Sequence, residues 1–215
     1  MSKKQVDYTS INTYDTLNTI STTTKNIWIV FHGIGYLSKY FIRLFEDLDK
    51  NENYIIAPQA PSKYYKDDGY RRVGSSWLTK ENTETEIENV LRYIDAVILS
   101  ENLPNDVQLI MLGYSQGVSI ASRYIARRKF KCDHLILISG AFPKELTNKD
   151  FDFLPESTKI SHIVGENDPY FEKDNVIAEK ERVVDILPQI NFYTHSGGHE
   201  LDLDSVRNAC NSLAD

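Results

Sequence analysis

Apolar residues are distributed along the chain in two alternating patterns. Residues 26–31 (NIWIVF), 107–112 (VQLIML), 134–139 (HLILIS) and 160–164 (ISHIV) are nearly continuous apolar runs. Runs of that kind are expected of strands buried on both faces of a parallel sheet. Shorter strands are expected at 54–57 and 190–194. Between these runs the period becomes helical. Residues 37–48 place Tyr40, Phe41, Leu44, Phe45 and Leu48 at helical spacing, and 83–102 carry Ile87, Val90, Leu91, Ile94, Val97 and Ile98 on one face. A helix is expected to begin near Gln116, and others to cover 171–187 and 203–213. Residues 5–18 alternate loosely and are rich in Thr and Tyr, which predicts an edge hairpin. Residues 58–82 are the least regular, with two prolines, Tyr64, Tyr65, Tyr70 and Trp77, and read as a long loop serving as a lid or pocket wall. Strands alternating with helices predict an α/β fold, a mostly parallel central sheet with helices on both faces, in one domain spanning 1–215.

Charge and cysteine content narrow the function classes. With 24 Lys and Arg against 31 Asp and Glu, the net charge is −7 and no basic cluster is long enough to track phosphates, so nucleic acid is not an expected partner. Cys132 and Cys210 have no C-x-x-C spacing, which argues against a zinc site or disulfide framework and for a reducing compartment. The N-terminal lysines are not followed by an apolar h-region, and no segment approaches the roughly 18 apolar residues of a membrane span. A cytoplasmic protein is expected. Phosphate-binding, dinucleotide-binding and zinc-protease motifs are absent, and the chemistry calls for no metal or cofactor.

What remains is one segment, 107–128, in which an apolar run meets Gly113-Tyr114-Ser115-Gln116-Gly117 and then a helical pattern. This is the G-x-S-x-G corner that holds a serine hydroxyl out above a strand end. A hydroxyl needs a base within hydrogen-bond reach and a carboxylate to orient that base. In a doubly wound sheet these come from the ends of later strands. Gly165-Glu166-Asn167-Asp168-Pro169 follows one such strand, and His195-Ser196-Gly197-Gly198-His199-Glu200 follows the next. Ser115, Asp168 and His199 therefore make the expected triad, in the chain order serine, acid, histidine; Glu166 and His195 are the competing acid and base. Donors for the oxyanion are expected from the backbone N–H of Gln116 and from that of Ile34 in His32-Gly33-Ile34-Gly35, with His32 bracing the loop. His134 and His162 lie in strand runs and read as structural.

These motifs together resemble the phospholipase/carboxylesterase family of small α/β-hydrolases, which includes acyl-protein thioesterases. The resemblance runs from about Ile27 to the C-terminus and rests on HGIG at 32–35, APQAP at 57–61, Trp77, GYSQG at 113–117, GENDP at 165–169 and GGHE at 197–200. It implies the α/β-hydrolase fold and the same triad and oxyanion donors. The chain departs from the family at Tyr36, Val118 and Tyr170-Phe171, where the family often has Asp, Gly and Val-Pro. Tyr36, Tyr114, Trp77 and Tyr170 are expected to line the substrate pocket. The expected activity is hydrolysis of a small-molecule carboxylic ester or thioester through an acyl-enzyme. The charges Lys63, Lys66, Asp67 and Asp68 in the 58–82 loop point to short or polar acyl groups. A non-catalytic module of the same fold, and a peptidase using the same triad, stay open at this point.

Overall fold

Alternate residues of each apolar run face opposite sides of one sheet, and both sides are covered. The computed structural model describes residues 2–170 and 173–211. Seven strands form the main sheet: β1 (Tyr14–Leu17), β2 (Asn26–Phe31), β3 (Asn53–Pro58), β6 (Gln108–Tyr114), β7 (His134–Ile138), β8 (Lys159–Gly165) and β9 (Ile190–His195). Their order is β1-β3-β2-β6-β7-β8-β9. All neighbours pair in parallel except β1, which runs antiparallel to β3.

On β2, Ile27, Ile29 and Phe31 enter one core while Trp28 and Val30 enter the other. The first core is closed by α2 (Thr83–Glu101), α3 (Gln116–Arg128) and α4 (Lys173–Ile186). Ile87, Val90, Leu91 and Ile94 of α2 are buried there, on the face the sequence marks out. Glu84 and Glu86 favour the α2 start by opposing its dipole, and Asn102 in the left-handed region ends it. The second core is closed by α1 (Ser38–Phe41) and α5 (Leu203–Asn211), through Phe41, Val206 and Ala209. No helix among the described residues is long and apolar enough to cross a membrane.

Three elements differ from expectation. Only Tyr14–Leu17 of 5–18 is a strand; the residues before it, with Val6, Tyr8 and Ile11 exposed, have no strand to pair with. The helix expected over 37–48 is one α-turn, Ser38–Phe41, followed by a 3-10 turn, Ile42–Phe45, which still buries Phe41, Ile42 and Phe45. The irregular stretch 58–82 contains a hairpin, β4 (Ser62–Tyr65) paired antiparallel with β5 (Val73–Ser76). Its four-residue strands lie among prolines and charges, which hides the period of two. The helix limits expected at Phe171 and Leu213 lie outside the described residues.

Candidate active site

β6 is the central strand of the seven, and the chain turns from it directly into α3. Ser115 stands at that corner with φ 53 and ψ −118, a conformation that L-residues rarely adopt and that surrounding structure must hold. A Cβ added at Gly117 would lie 2.0 Å from the Phe31 carbonyl oxygen, so α3 can approach β2 this closely only with glycine there. As the first residue of α3, Gln116 has a backbone N–H with no intrahelical acceptor. Its side chain is spent elsewhere, accepting from the Trp77 N–H at 2.8 Å and donating to the Leu78 carbonyl at 2.8 Å.

The strand ends bring the three expected residues together. His199 Nδ1 is 2.8 Å from Asp168 Oδ2, and His199 Nε2 is 2.9 Å from Ser115 Oγ. A carboxylate only accepts, so the ring hydrogen belongs on Nδ1 and the serine hydroxyl donates to Nε2. The Asp168 side chain is fully buried, and its other oxygen accepts the Tyr170 N–H at 3.0 Å. The loop carrying His199 is tied to its surroundings: the Tyr114 hydroxyl donates to the His199 carbonyl at 2.8 Å, and Asn167 donates from its backbone to the Gly197 carbonyl at 3.0 Å. Burial raises the Tyr114 phenol above its ordinary pKa, so it is held as a donor.

The competing candidates point elsewhere. His195 Nδ1 accepts the Gly197 N–H at 3.2 Å within its own turn, and Glu166 accepts from the Thr194 hydroxyl at 3.3 Å. His134 bonds Ser161 at 2.8 Å, and His162 is buried beside the Gly140 backbone.

Ser115 and His199 open on a cavity of about 990 Å³ that Gly33, Ile34, Tyr36, Tyr114 and Tyr170 also line. The Ile34 N–H has no acceptor among the described residues, whereas its neighbour Gly35 donates to the Ser75 carbonyl at 2.7 Å. A second cleft, of about 730 Å³ around Phe151 and Leu187, contains none of the candidate residues.

Trp77 and the 58–82 stretch are not where the sequence suggests. Trp77 is completely buried beneath the site, edge-on to Phe31, and its indole N–H donates to the His32 carbonyl at 2.8 Å. No residue of 58–82 lines the cavity. The hairpin grips the 33–36 loop from outside instead: the Ser75 hydroxyl donates to the Tyr36 carbonyl at 2.6 Å, and Lys66 Nζ to the Gly35 carbonyl at 3.3 Å. The charges of 63–68 therefore lie outside the cavity lining.

The rest of the lining, which includes Ser119, Ser139, Lys144, Glu179 and Arg182, carries no motif in the sequence. Arg182 donates to the Phe142 carbonyl at 2.7 Å while Glu179 accepts the Phe142 N–H at 2.9 Å, which fastens α4 to the loop after β7. That bond pairs residues about 40 apart, and no spacing signals it. Among the described residues, no group of three or more His, Cys, Asp or Glu side chains is placed to hold a metal ion.

The same architecture is found in solved structures of low sequence identity. Zea mays acyl-protein thioesterase 2 superposes with a TM-score of 0.70 at 15% identity, over 94% of this chain and 98% of that one. A phospholipase/carboxylesterase from Dyadobacter fermentans gives 0.68 at 20% identity, over 97% and 99%. Esterase PE8 gives 0.68 at 18%, over 94% and 97%. No curated protein matches the chain in sequence. A family model does, over residues 46–201, a span that includes the nucleophile corner, the acid and the histidine. This chain belongs to the serine hydrolase (FSH1) family.

Proposed function

We propose that this serine hydrolase cleaves a small-molecule carboxylic ester or thioester through an acyl-enzyme, with Ser115 as nucleophile, His199 as general base and then acid, and Asp168 as the orienting carboxylate. The observation that carries the reading is the unbroken line of contacts from Ser115 to His199 at 2.9 Å and from His199 to Asp168 at 2.8 Å, at the edge of a cavity. His199 takes the proton as Ser115 Oγ attacks the carbonyl carbon. The tetrahedral oxyanion is received by the N–H groups of Ile34 and Gln116, each worth about 3 kcal/mol of barrier. His199 then protonates the departing alcohol or thiol and activates the water that releases the acid. The esterase and thioesterase names of its structural relatives favour esters and thioesters over amides. Two free cysteines, Cys132 and Cys210, whose thiols burial pushes up to about 12 and about 11, suit a reducing cytoplasmic setting.

The test is p-nitrophenyl butyrate hydrolysis together with labelling by a fluorophosphonate probe. Wild-type protein is expected to do both and Ser115→Ala neither. Full hydrolysis by Ser115→Ala would remove Ser115 from the mechanism. Folded wild-type protein that takes up no probe would favour the non-catalytic module.

A further inference from the structure

Tyr36, Tyr114, His199 and Tyr170 form a continuous aromatic wall along the cavity, with successive ring centroids 5.9, 5.4 and 4.7 Å apart. Among the described residues, the remaining lining, from Ser119 to Lys144 and Arg182, contains no aromatic ring. Within the wall, Tyr114 is buried and its hydroxyl is committed to the His199 carbonyl. Tyr170 is different: 77% of it is exposed, and its ring meets the imidazole edge-on while, among the described residues, no other ring packs against it. Its backbone is nevertheless fixed, because its N–H bonds Asp168. A large aromatic face is thus held in solvent at a set distance from the base. An exposed ring held beside the base offers a planar apolar face to whatever enters the cavity.

Which half of a substrate covers it follows from the route of the proton, and so rests on the function proposed above. In acylation the Ser115 Oγ–carbon bond forms and the carbon–oxygen bond to the leaving group breaks. The proton from Oγ passes through His199 Nε2 to the departing oxygen, which must come within hydrogen-bond reach of that nitrogen. The leaving group therefore lies beside His199, against Tyr170, the exposed one of the two rings that pack on it. We infer that the alcohol or thiol half of the substrate carries a planar aromatic ring that packs on Tyr170, and that the acyl half occupies the non-aromatic remainder of the cavity.

Benzyl acetate and cyclohexylmethyl acetate test this. They share the acyl group, and their leaving groups match in size and nearly in basicity but differ in aromaticity. Wild-type kcat/KM is expected to favour the benzyl ester by about 3- to 10-fold, as ring–ring packing would give. Tyr170→Phe is expected to keep that ratio and Tyr170→Leu to bring it near one. Equal wild-type rates, no turnover of the benzyl ester, or a ratio that survives in Tyr170→Leu would each overturn the inference. The two readings fail separately. Loss of fluorophosphonate labelling at Ser115 strikes the hydrolase assignment, whereas a labelled enzyme without the benzyl preference strikes only the aromatic leaving group.

Discussion

His32 Nδ1 lies 2.7 Å from the carbonyl oxygen of Gly33, while its Nε2 accepts the Ala60 N–H at 3.2 Å. A nitrogen that accepts carries no hydrogen, so Nδ1 bears the proton and donates to Gly33. In a trans peptide the C=O and N–H point in opposite directions. Drawing the Gly33 carbonyl toward His32 turns the Ile34 N–H away from it, on a loop whose next residues border the cavity. His32→Ala is therefore expected to lower kcat by about 10- to 100-fold with KM little changed, as for partial loss of an oxyanion donor. The check is the kcat/KM ratio of an ester to its thionoester: wild-type protein should discriminate against the thiono sulfur more strongly than the variant.

His32, His134 and His162 are buried, and desolvation lowers each from 6.5 to about 4. Between those values the unfolded chain binds more protons than the folded one, so stability is complete above about 6.5 and is lost as pH falls toward 4. Each histidine accounts for about 3 kcal/mol over that window. Urea midpoints measured from pH 7 to pH 4 should fall steeply, and a flat profile would contradict the burial of these rings as neutral groups.

Asp168→Asn should leave the fold intact and reduce kcat by about 10³- to 10⁴-fold, because an amide in that place favours the wrong imidazole tautomer. Fluorophosphonate labelling of Ser115 should slow in parallel. Unchanged labelling with slow turnover would assign Asp168 to deacylation alone.

A Cβ at Gly165 would lie 2.2 Å from the Gly198 carbonyl oxygen and 2.5 Å from that of Gly197. Backbone cannot yield that far without moving the His199 loop. Gly165→Ala is expected to cut esterase activity by more than about 100-fold, the scale of an ångström's misplacement of a reacting group. Circular dichroism at 25 °C should remain that of a folded α/β protein.

The core strands and the triad were legible because each is written locally. Asn26–Phe31 is a continuous apolar run, and Ser115, Asp168 and His199 each follow such a run by a few residues. Trp77 is not legible as a core residue because an aromatic in an irregular stretch gives no sign of facing inward or outward. Its complete burial depends on His32, 45 residues away, which supplies the carbonyl for its indole. The β4–β5 hairpin was hidden for a related reason. Every residue of β4 is exposed, so no burial alternation is imprinted on it. The wall formed by α4 rests on Arg182 and Glu179 reading the backbone of Phe142, and backbone recognition leaves no mark on the partner's side chains.

β9 is an edge strand of the sheet and, among the described residues, pairs with β8 alone, yet the loop that follows it carries His199. Ser115, by contrast, follows the strand with three strands on either side. Peeling β9 away is expected to break the contact between base and nucleophile while the corner at Ser115 stays folded. The lifetime of the competent enzyme is then set by the opening of one edge, and amide exchange in residues 190–195 should track heat inactivation more closely than exchange in β6.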